Sequence, residues 1–298
     1  MTVIDVQRLQ KSYGDHAAVR DVSFSVERGE IFGIIGRNGA GKTTTVECIE
    51  GLRRPDGGEV RVLGLDPADP AVRQRLGVQL QESQLPDRLR VREAMELFAS
   101  FYDRPAPVDP LLARLGLAEH AEQQYKRLSG GQKQRLSIAL SLVGSPEVAV
   151  LDELTTGLDP QARRETWRLI EDIRDHGVTV LLVTHFMDEA EQLCDRIAVI
   201  DQGRTVAIDT PSGLVRSVSS GVTVTFRPSA FLAPDALAAV PGVDSISSDD
   251  YAWTVTGRGN LAHEVSSALA ARSVVPLSLN IVQADLESAF IALTDKES

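Results

Sequence analysis

The alternation of apolar and polar residues divides the first 215 residues into short strands and longer helices. Residues 3–9 and 19–26 largely alternate apolar and polar side chains, which predicts half-buried antiparallel strands. Three continuous apolar runs, 31–35, 148–151 and 179–183, are typical instead of parallel strands covered on both faces. The pattern therefore predicts an α/β fold with a partly parallel sheet.

Helical periodicity occupies the stretches between these strands. Residues 91–103 and 132–143 carry apolar side chains at helical spacing. Residues 197–208 contain two strand patterns around a Gln-Gly turn, which predicts a hairpin that closes this part of the chain.

A Ser-, Gly- and Pro-rich stretch at 210–221 predicts a linker, and the pattern changes after it. We expect a first domain at 1–215, a linker at 216–221 and a small α+β domain at 222–298. The order of elements in that domain predicts a ferredoxin-like fold with one extra helix. Its predicted elements are strand 222–226, helix 235–239, strands 243–247 and 252–256, helix 260–271, strand 274–279 and helix 285–293.

Composition narrows the class of protein. Of 298 residues, 43% are hydrophobic, but no apolar run approaches the 18 residues of a membrane span, and the first residues lack a signal-peptide pattern. The formal net charge is −11, which argues against nucleic acid as a partner because DNA and RNA binding needs a positive surface. Cys48 and Cys194 lack metal-ligand spacing and predict reduced, buried thiols. We expect a cytoplasmic, two-domain protein.

Residues 36–43 match the pattern G-x-x-x-x-G-K-T between a predicted strand and a predicted helix. Glycines let backbone N–H groups surround phosphate oxygens, and the following helix presents the positive end of its dipole. Lys42 supplies a charge for the β- and γ-phosphates, and the Thr43 hydroxyl is a hard oxygen ligand for Mg²⁺. The candidate nucleotide-binding residues of this loop are Gly36, Asn38, Gly39, Ala40, Gly41, Lys42, Thr43 and Thr44.

Two acidic residues follow the buried run 148–151. Asp152 is placed to hold the shell of a magnesium ion, and Glu153 can orient and polarise an attacking water. With the phosphate loop alone, these acids leave kinases, GTPases and many ATPases open.

Residues 128–132, Leu-Ser-Gly-Gly-Gln, begin a predicted helix and offer a second anion-binding site. Ser129, Gly130, Gly131 and Gln132 would present N–H groups and a hydroxyl at a helix N-terminus. The chain thus has two candidate phosphate sites, the phosphate loop and this helix N-terminus, but only one phosphate loop to bind a nucleotide. This suggests that two copies of the chain enclose ATP between them.

These motifs, in this order, make residues 1–215 resemble the ATP-binding-cassette (ABC) family. The resemblance implies a RecA-like P-loop nucleotide-binding domain with antiparallel β and helical subdomains, the helical one at about 86–145. It also implies that Tyr13 stacks on adenine, that Gln81 touches Mg²⁺ and the attacking water, and that His185 contacts the γ-phosphate. Asp159 falls in the loop that crosses the dimer interface in this family.

Two positions leave the match incomplete. Gln79 is an alternative to Gln81 in the sequence Leu-Gly-Val-Gln-Leu-Gln-Glu-Ser, and Leu154 stands where family members commonly have proline. The leucine leaves both acids in place but could soften the backbone that aims Glu153.

The implied mechanism joins two cassettes through ATP and Mg²⁺. Each copy lends Ser129, Gly130 and Gly131 to the γ-phosphate of the other, and hydrolysis at Glu153 lets the dimer open. The implied metal ligands are Thr43, Gln81 and Asp152, and replacing Glu153 with glutamine should keep ATP binding and accumulate the ATP-bound dimer.

The spacing between Lys42 and Ser129 leaves room for only a compact helical subdomain, which favours a transporter subunit over relatives with long insertions. We expect a homodimer on the inner face of the cell membrane with a separate permease, which docks beside Gln81 and helix 91–103. Residues 284–294 resemble the ending of daunorubicin-resistance-type export cassettes, and Pro241-Gly242-Val243 resembles a turn in them. The alternatives are a non-transport ABC ATPase acting in regulation or assembly and a small-molecule kinase.

Overall fold

The chain divides into two units, Met1–Pro211 and Ser212–Ser298, each with its own sheet. The computed structural model describes residues 1–79, 85–218, 221–233, 235–249, 252–283 and 285–295.

One mixed sheet runs through the first unit, in the order β4-β1-β2-β9-β8-β3-β7-β6-β5. Strands β8, β3, β7, β6 and β5 are parallel neighbours, whereas β1 pairs antiparallel with both β2 and β4. The strands are β1 (Thr2–Tyr13), β2 (His16–Glu27), β3 (Ile31–Ile35), β4 (Gly57–Val62), β5 (Leu76–Gln79), β6 (Val148–Asp152), β7 (Thr179–Val183), β8 (Arg196–Asp201) and β9 (Arg204–Asp209).

The strands predicted from continuous apolar runs lie at the centre of this sheet. Every residue of β3, β6 and β7 is buried, as expected for parallel strands covered on both faces. Their carboxyl ends meet at one edge, because adjacent parallel strands all point the same way. This edge therefore collects whatever side chains follow the three strands.

Helices cover the sheet and form a subdomain beside it. Helices α3, α4 and α5 fall within the stretch expected to be helical, and α3 packs against both α4 and α5. The helices of the first unit are α1 (Lys42–Ile49), α2 (Pro70–Arg73), α3 (Val91–Ala99), α4 (Val108–Arg114), α5 (Gly130–Leu142), α6 (Pro160–Asp175) and α7 (Met187–Leu193), with 3₁₀ turns at Ala118–His120 and Tyr125–Arg127.

Helix α8 (Pro211–Val218) stands where the composition predicted a linker. Proline is well suited to the first helical position, and Leu214 is buried, so packing of one apolar residue stabilises a helix despite the Ser- and Gly-rich sequence. Of the predicted linker 216–221, residues 219 and 220 lie outside the described residues.

The second unit has an antiparallel sheet in the order β11-β12-β10-β13. Strand β12 lies between β10 and β11, which is the split arrangement of the predicted ferredoxin-like fold. The elements are β10 (Val222–Pro228), β11 (Val243–Ser248), β12 (Trp253–Gly257), α9 (Leu261–Ala270), β13 (Pro276–Gln283) and α10 (Leu286–Asp295).

The helix predicted at 235–239 is a series of turns. A five-residue segment that ends near Pro241 is too short to repay the cost of helix nucleation. Leu237 is nevertheless buried in the core of this unit, so the apolar pattern identified a packing residue correctly.

The helices of the described residues include none that is both apolar enough and long enough to cross a membrane.

Candidate functional site

The loop between β3 and α1 needs glycine at two positions for close approach of backbone. A Cβ atom at Gly36 would stand 2.3 Å from the carbonyl oxygen of Ile200, and one at Gly41 would stand 2.5 Å from that of Ala18. Gly41 also has φ +101°, and it directly precedes the first residue of α1. The loop can therefore turn tightly onto the N-terminus of α1, whose free N–H groups and dipole favour an anion.

Lys42 lies folded over this loop. Its Nζ donates to the carbonyl oxygens of Gly36 (2.7 Å) and Arg37 (3.1 Å), and only 7% of the residue is exposed. Burial lowers the pKa of Lys42, while the charges of Glu153 and Asp152 act in the opposite direction. A buried ammonium held by neutral carbonyls is well placed to bind a phosphate.

Asp152 and Glu153 stand at the edge where β3, β7 and β6 end. Asp152 is the last residue of β6 and is 7% exposed. Burial and the neighbouring Glu153 raise the pKa of Asp152 to about 6, and Lys42 partly offsets this. The carboxylate thus lies in an environment that would favour a nearby cation.

Glu153 and His185 are brought together although 32 residues separate them. The Nδ1 atom of His185 lies 3.2 Å from Oε1 of Glu153. Glu153 has a left-handed backbone (φ +48°), and its N–H donates to the carbonyl oxygen of Val183 at 2.9 Å. This bond ties the acid to the end of β7, just before the histidine.

These groups surround one open cleft of about 600 Å³. Tyr13 is 41% exposed there, with the cationic groups of Lys11 and Arg53 each 5.9 Å from the centre of its ring. The cleft is lined by Tyr13, His16, Ala18, Asn38, Gly39, Gly41, Lys42, Thr43, Thr44, Asp152, Glu153 and His185. The lining includes the candidate stacking aromatic, most of the loop, both acids and the histidine.

Other candidates lie outside that lining. Gly36 contributes one of the two carbonyl oxygens that accept from Lys42, and Ala40 is buried in the core of the first unit. Gln81 lies outside the described residues. Gln79, the alternative to Gln81, is the last residue of β5. It is 7% exposed, and its Oε1 atom has no hydrogen bond.

The second candidate anion site is the N-terminus of α5, away from the cleft lining. The Ser129 hydroxyl accepts from the Gln132 N–H (3.2 Å), and Oε1 of Gln132 accepts from the Ser129 N–H (2.8 Å). A Cβ atom at Gly130 would meet nothing within 4 Å, and one at Gly131 would come only within 3.7 Å of Ala162. The two glycines leave an open surface at a helix N-terminus with room for an anion.

Asp159 acts locally as a helix cap. Its Oδ1 accepts from the N–H groups of Gln161 (2.9 Å) and Ala162 (3.0 Å) at the start of α6. Ala162 is also the neighbour of Gly131, so the start of α6 lies beside the start of α5.

The oxygen donors of the cleft fit a magnesium ion that is shared with a nucleotide. Among the described residues no group of three or more His, Cys, Asp or Glu side chains could hold a metal. A Thr43 hydroxyl and the Asp152 carboxylate are hard oxygen donors, and Mg²⁺ commonly takes its remaining ligands from phosphates and water. The donor set therefore suits Mg²⁺ bound with ATP.

Sequence reasoning missed three features of this site. His16 and Ala18 line the cleft from β2, and nothing in their sequence pattern signals it. Glu50 follows α1, and burial, together with Asp152 and Glu47, raises its pKa to about 8. The sequence alone does not identify Glu50, because its raised pKa depends on neighbours that only the fold brings close to it.

Comparison with known proteins agrees with this geometry. A family model described as "ABC transporter" matches residues 19–156. The Nod factor export ATP-binding protein I of Burkholderia lata is 37% identical over 302 residues, covering 99% of this chain and 97% of that protein. The protein of the same name from Burkholderia orbicola is 43% identical over 221 residues, covering 72% of this chain and 73% of its own length.

A solved structure of an ATP-binding subunit of an ABC transporter supports the fold. It is 29% identical with a TM-score of 0.65, and the match covers 72% of this chain and 92% of that one. The phosphate loop, the paired acids and these relatives together show that the chain belongs to the ABC transporter family, as an ATP-binding subunit whose activity is ATP hydrolysis.

Proposed function

We propose that this chain powers export through a separate membrane permease, and that two copies enclose ATP between them. The observation that carries the proposal is the presence of two incomplete phosphate sites in one unit. The cleft around Lys42 holds the loop and the acids, whereas the open glycines at the start of α5 do not line it. A second copy would supply to each cleft the helix N-terminus that it lacks.

Within a cleft, we assign roles from position and charge. Lys42 binds the β- and γ-phosphates, and Tyr13 stacks on the adenine at the exposed rim. Thr43 and Asp152, with Gln81, would hold Mg²⁺, which when bound supplies charge neutralisation for the phosphates. Glu153 orients the attacking water and accepts its proton, and His185 fixes Glu153 from 3.2 Å while facing the γ-phosphate.

Across the dimer, Ser129, Gly130 and Gly131 of each copy would contact the γ-phosphate bound by the other. Their N–H groups and the dipole of α5 stabilise the charge that develops on the phosphate oxygens during transfer. Asp159 would hold the start of α6 at the same interface. Hydrolysis removes the shared γ-phosphate, and the dimer then opens.

An apolar groove beside the described end of β5 is the proposed permease site. It has a volume of about 390 Å³ and is lined by Glu50, Leu52, Arg73, Leu76, Val78, Phe98, Tyr102 and Leu140. Leu52 is 60% exposed, and Phe101, which follows α3, is 62% exposed. An exposed apolar groove beside the described end of β5 suits a short amphipathic helix from a membrane partner.

Export is favoured over a regulatory or assembly ATPase by two observations. The relatives that match nearly the whole chain are export proteins by name. The ending at 284–294 resembles daunorubicin-resistance-type cassettes, and we place the chain in that kind of exporter, acting on a small or hydrophobic molecule at the inner face of the membrane.

The test is ATPase activity in lipid nanodiscs with and without the candidate permease. We expect the permease to stimulate hydrolysis, and Leu52→Asp to remove the stimulation while basal hydrolysis stays. Leu277→Asp is the matched control, because Leu277 is also half exposed but lies in the second unit. Stimulation that survives Leu52→Asp would contradict the proposed docking site, and the absence of any stimulating permease would favour the regulatory alternative.

A further inference from the structure

A carboxyl group is completely buried in α7, the helix that begins two residues after His185. Glu189 in α7 is 0% exposed, and burial raises its pKa. Its Oε1 accepts from the indole Nε1 of Trp167 at 3.2 Å, while its Oε2 has no hydrogen bond. Burying a carboxyl with an unused acceptor costs stability, so an arrangement of this kind is a candidate for a functional role.

The surroundings of Glu189 connect it to both sides of the catalytic pair. The hydroxyls of Thr184 and Thr155 lie close enough to its carboxyl to oppose the rise in its pKa. Thr184 directly precedes His185, and Thr155 follows Glu153 by two residues. One carboxyl group thus lies near the two segments that carry the proposed base and the histidine that fixes it.

Trp167 connects the same carboxyl to α6. The guanidinium of Arg163 lies 5.3 Å from the centre of the Trp167 ring and 5.8 Å from that of Phe186, and it pairs with Asp188 at 2.7 Å. The Phe186 ring lies 4.1 Å from the His185 ring. Helix α6, helix α7 and the histidine segment therefore form one packed junction.

We infer that Glu189 is a positioning residue that couples the start of α6 to the alignment of Glu153 and His185. The inference rests on the proposed function, because it requires a second copy to press on the Asp159 end of α6. A shift of α6 would move the Trp167 indole, and the carboxyl would transmit the shift to Thr155 and Thr184. The unused Oε2 and the unpaired Thr155 hydroxyl leave room for a tighter arrangement when the dimer closes.

Glu189→Gln tests the coupling with almost no change in volume. The amide can still accept from Trp167, but it replaces an acceptor with a donor toward the threonine hydroxyls. We expect kcat of ATP hydrolysis to fall about tenfold through misalignment of the reacting groups, with the KM for ATP changed less than about twofold. Glu191→Gln is the matched control, an exposed acid on the same helix, and should keep the parental kcat.

Trp167→Phe removes the bond between the indole and the carboxyl, which Glu189→Gln keeps, and so interrupts the same coupling at an earlier step. If the two residues act together, the double variant should lose no more kcat than either single variant. The chain has two tryptophans, so Trp253→Phe leaves Trp167 as the only indole reporter. In that background we expect ATP to change the Trp167 emission through the shift of α6, and Glu189→Gln to keep this change while it lowers kcat.

The outcomes separate this inference from the proposed dimer. Sedimentation of a Glu153→Gln background with ATP reports dimer formation alone, and Glu189→Gln should leave that dimer in place.

A normal dimer with parental kcat in Glu189→Gln would overturn the coupling role, as would additive losses in the double variant. A lower kcat accompanied by an equal loss of ATP binding and of thermal stability would assign Glu189 a structural role only. Absence of the dimer in the Glu153→Gln chain itself would count against the proposed function instead.

Discussion

Two buried residues of opposite charge, Lys42 and Asp152, lie at the proposed nucleotide site. Lys42 and Asp152 are each 7% exposed, and burial displaces their pKa values in opposite directions, each toward the neutral form. The fold therefore maintains charged groups where they cost stability. In the proposed site, ATP would bring negative charge to Lys42 and Mg²⁺ would bring positive charge to Asp152, which would give binding part of its driving force.

Replacing Asp152 should stabilise the protein while it removes function. Because the folded-state pKa of about 6 exceeds the ordinary value of 3.8, the native chain binds the proton more tightly than the unfolded chain. Ionised Asp152 thus costs stability above pH 6, and the cost fades as pH falls. Asp152→Asn should raise the free energy of unfolding by roughly 2 to 3 kcal/mol at pH 8 and by about half of that at pH 5.

Urea unfolding at the two pH values, in EDTA and without nucleotide, measures this difference. Asp15→Asn serves as the control, since Asp15 is exposed in the turn between β1 and β2. A stabilisation by Asp152→Asn that is equal at pH 5 and pH 8 would show that the carboxyl is not held at a raised pKa.

Some residue-scale features follow from sequence and others do not. The roles proposed for Lys42 and Asp152 rest on motifs, since each follows a buried strand at fixed spacing. The left-handed backbone of Glu153 and its bond to Val183 depend on the neighbouring strand and have no local sequence signal. The same holds for Glu189, whose helical segment looks exposed and acidic until α6 is packed on it.

At the scale of elements, the order of the parallel strands assembles the cleft. Strands β3, β7 and β6 are neighbours, so the phosphate loop, His185 and the acids meet without long connections. Apolar runs predicted these strands because a strand that is buried on both faces needs apolar side chains at every position.

Short segments were harder to predict. Residues 235–239 have helix-forming side chains but form no helix, and α8 forms in a stretch of linker-like composition. In such short segments tertiary packing outweighs local propensity.

The start of α5 allows stability and function to be separated. Gly131 is at the second position of the helix, where an acidic side chain interacts favourably with the dipole, and an added Cβ has room beside Ala162. Gly131→Asp should therefore raise the free energy of unfolding by about 0.5 to 1 kcal/mol. It should also weaken ATP-driven dimerisation by at least about tenfold, because the carboxylate repels the γ-phosphate of the other copy.

Urea unfolding and sedimentation with ATP in the Glu153→Gln background measure the two effects. Gly131→Ala adds the Cβ without the charge and should dimerise better than the aspartate variant. Equal dimerisation of Gly131→Asp and its parent would mean that this helix does not face a phosphate.

At the scale of the whole molecule, the proposed function requires one chain to hold complementary halves of a site rather than a complete one. The cleft residues and the glycines of α5 belong to the same unit, yet the lining of the cleft includes only the former. A net charge of −11 on each copy opposes their association, so the contacts at the interface must outweigh this repulsion. We expect association to depend on ATP, because the proposed contacts to the γ-phosphate join the two copies.

The most direct measurement is the specific ATPase activity as a function of chain concentration, with Ser129→Arg beside the parent. A site completed by a second copy predicts that activity per chain rises with concentration and levels off as dimers saturate, and that Ser129→Arg stays inactive at every concentration. Activity per chain that is constant from nanomolar to micromolar chain concentration, and is unchanged in Ser129→Arg, would contradict the account.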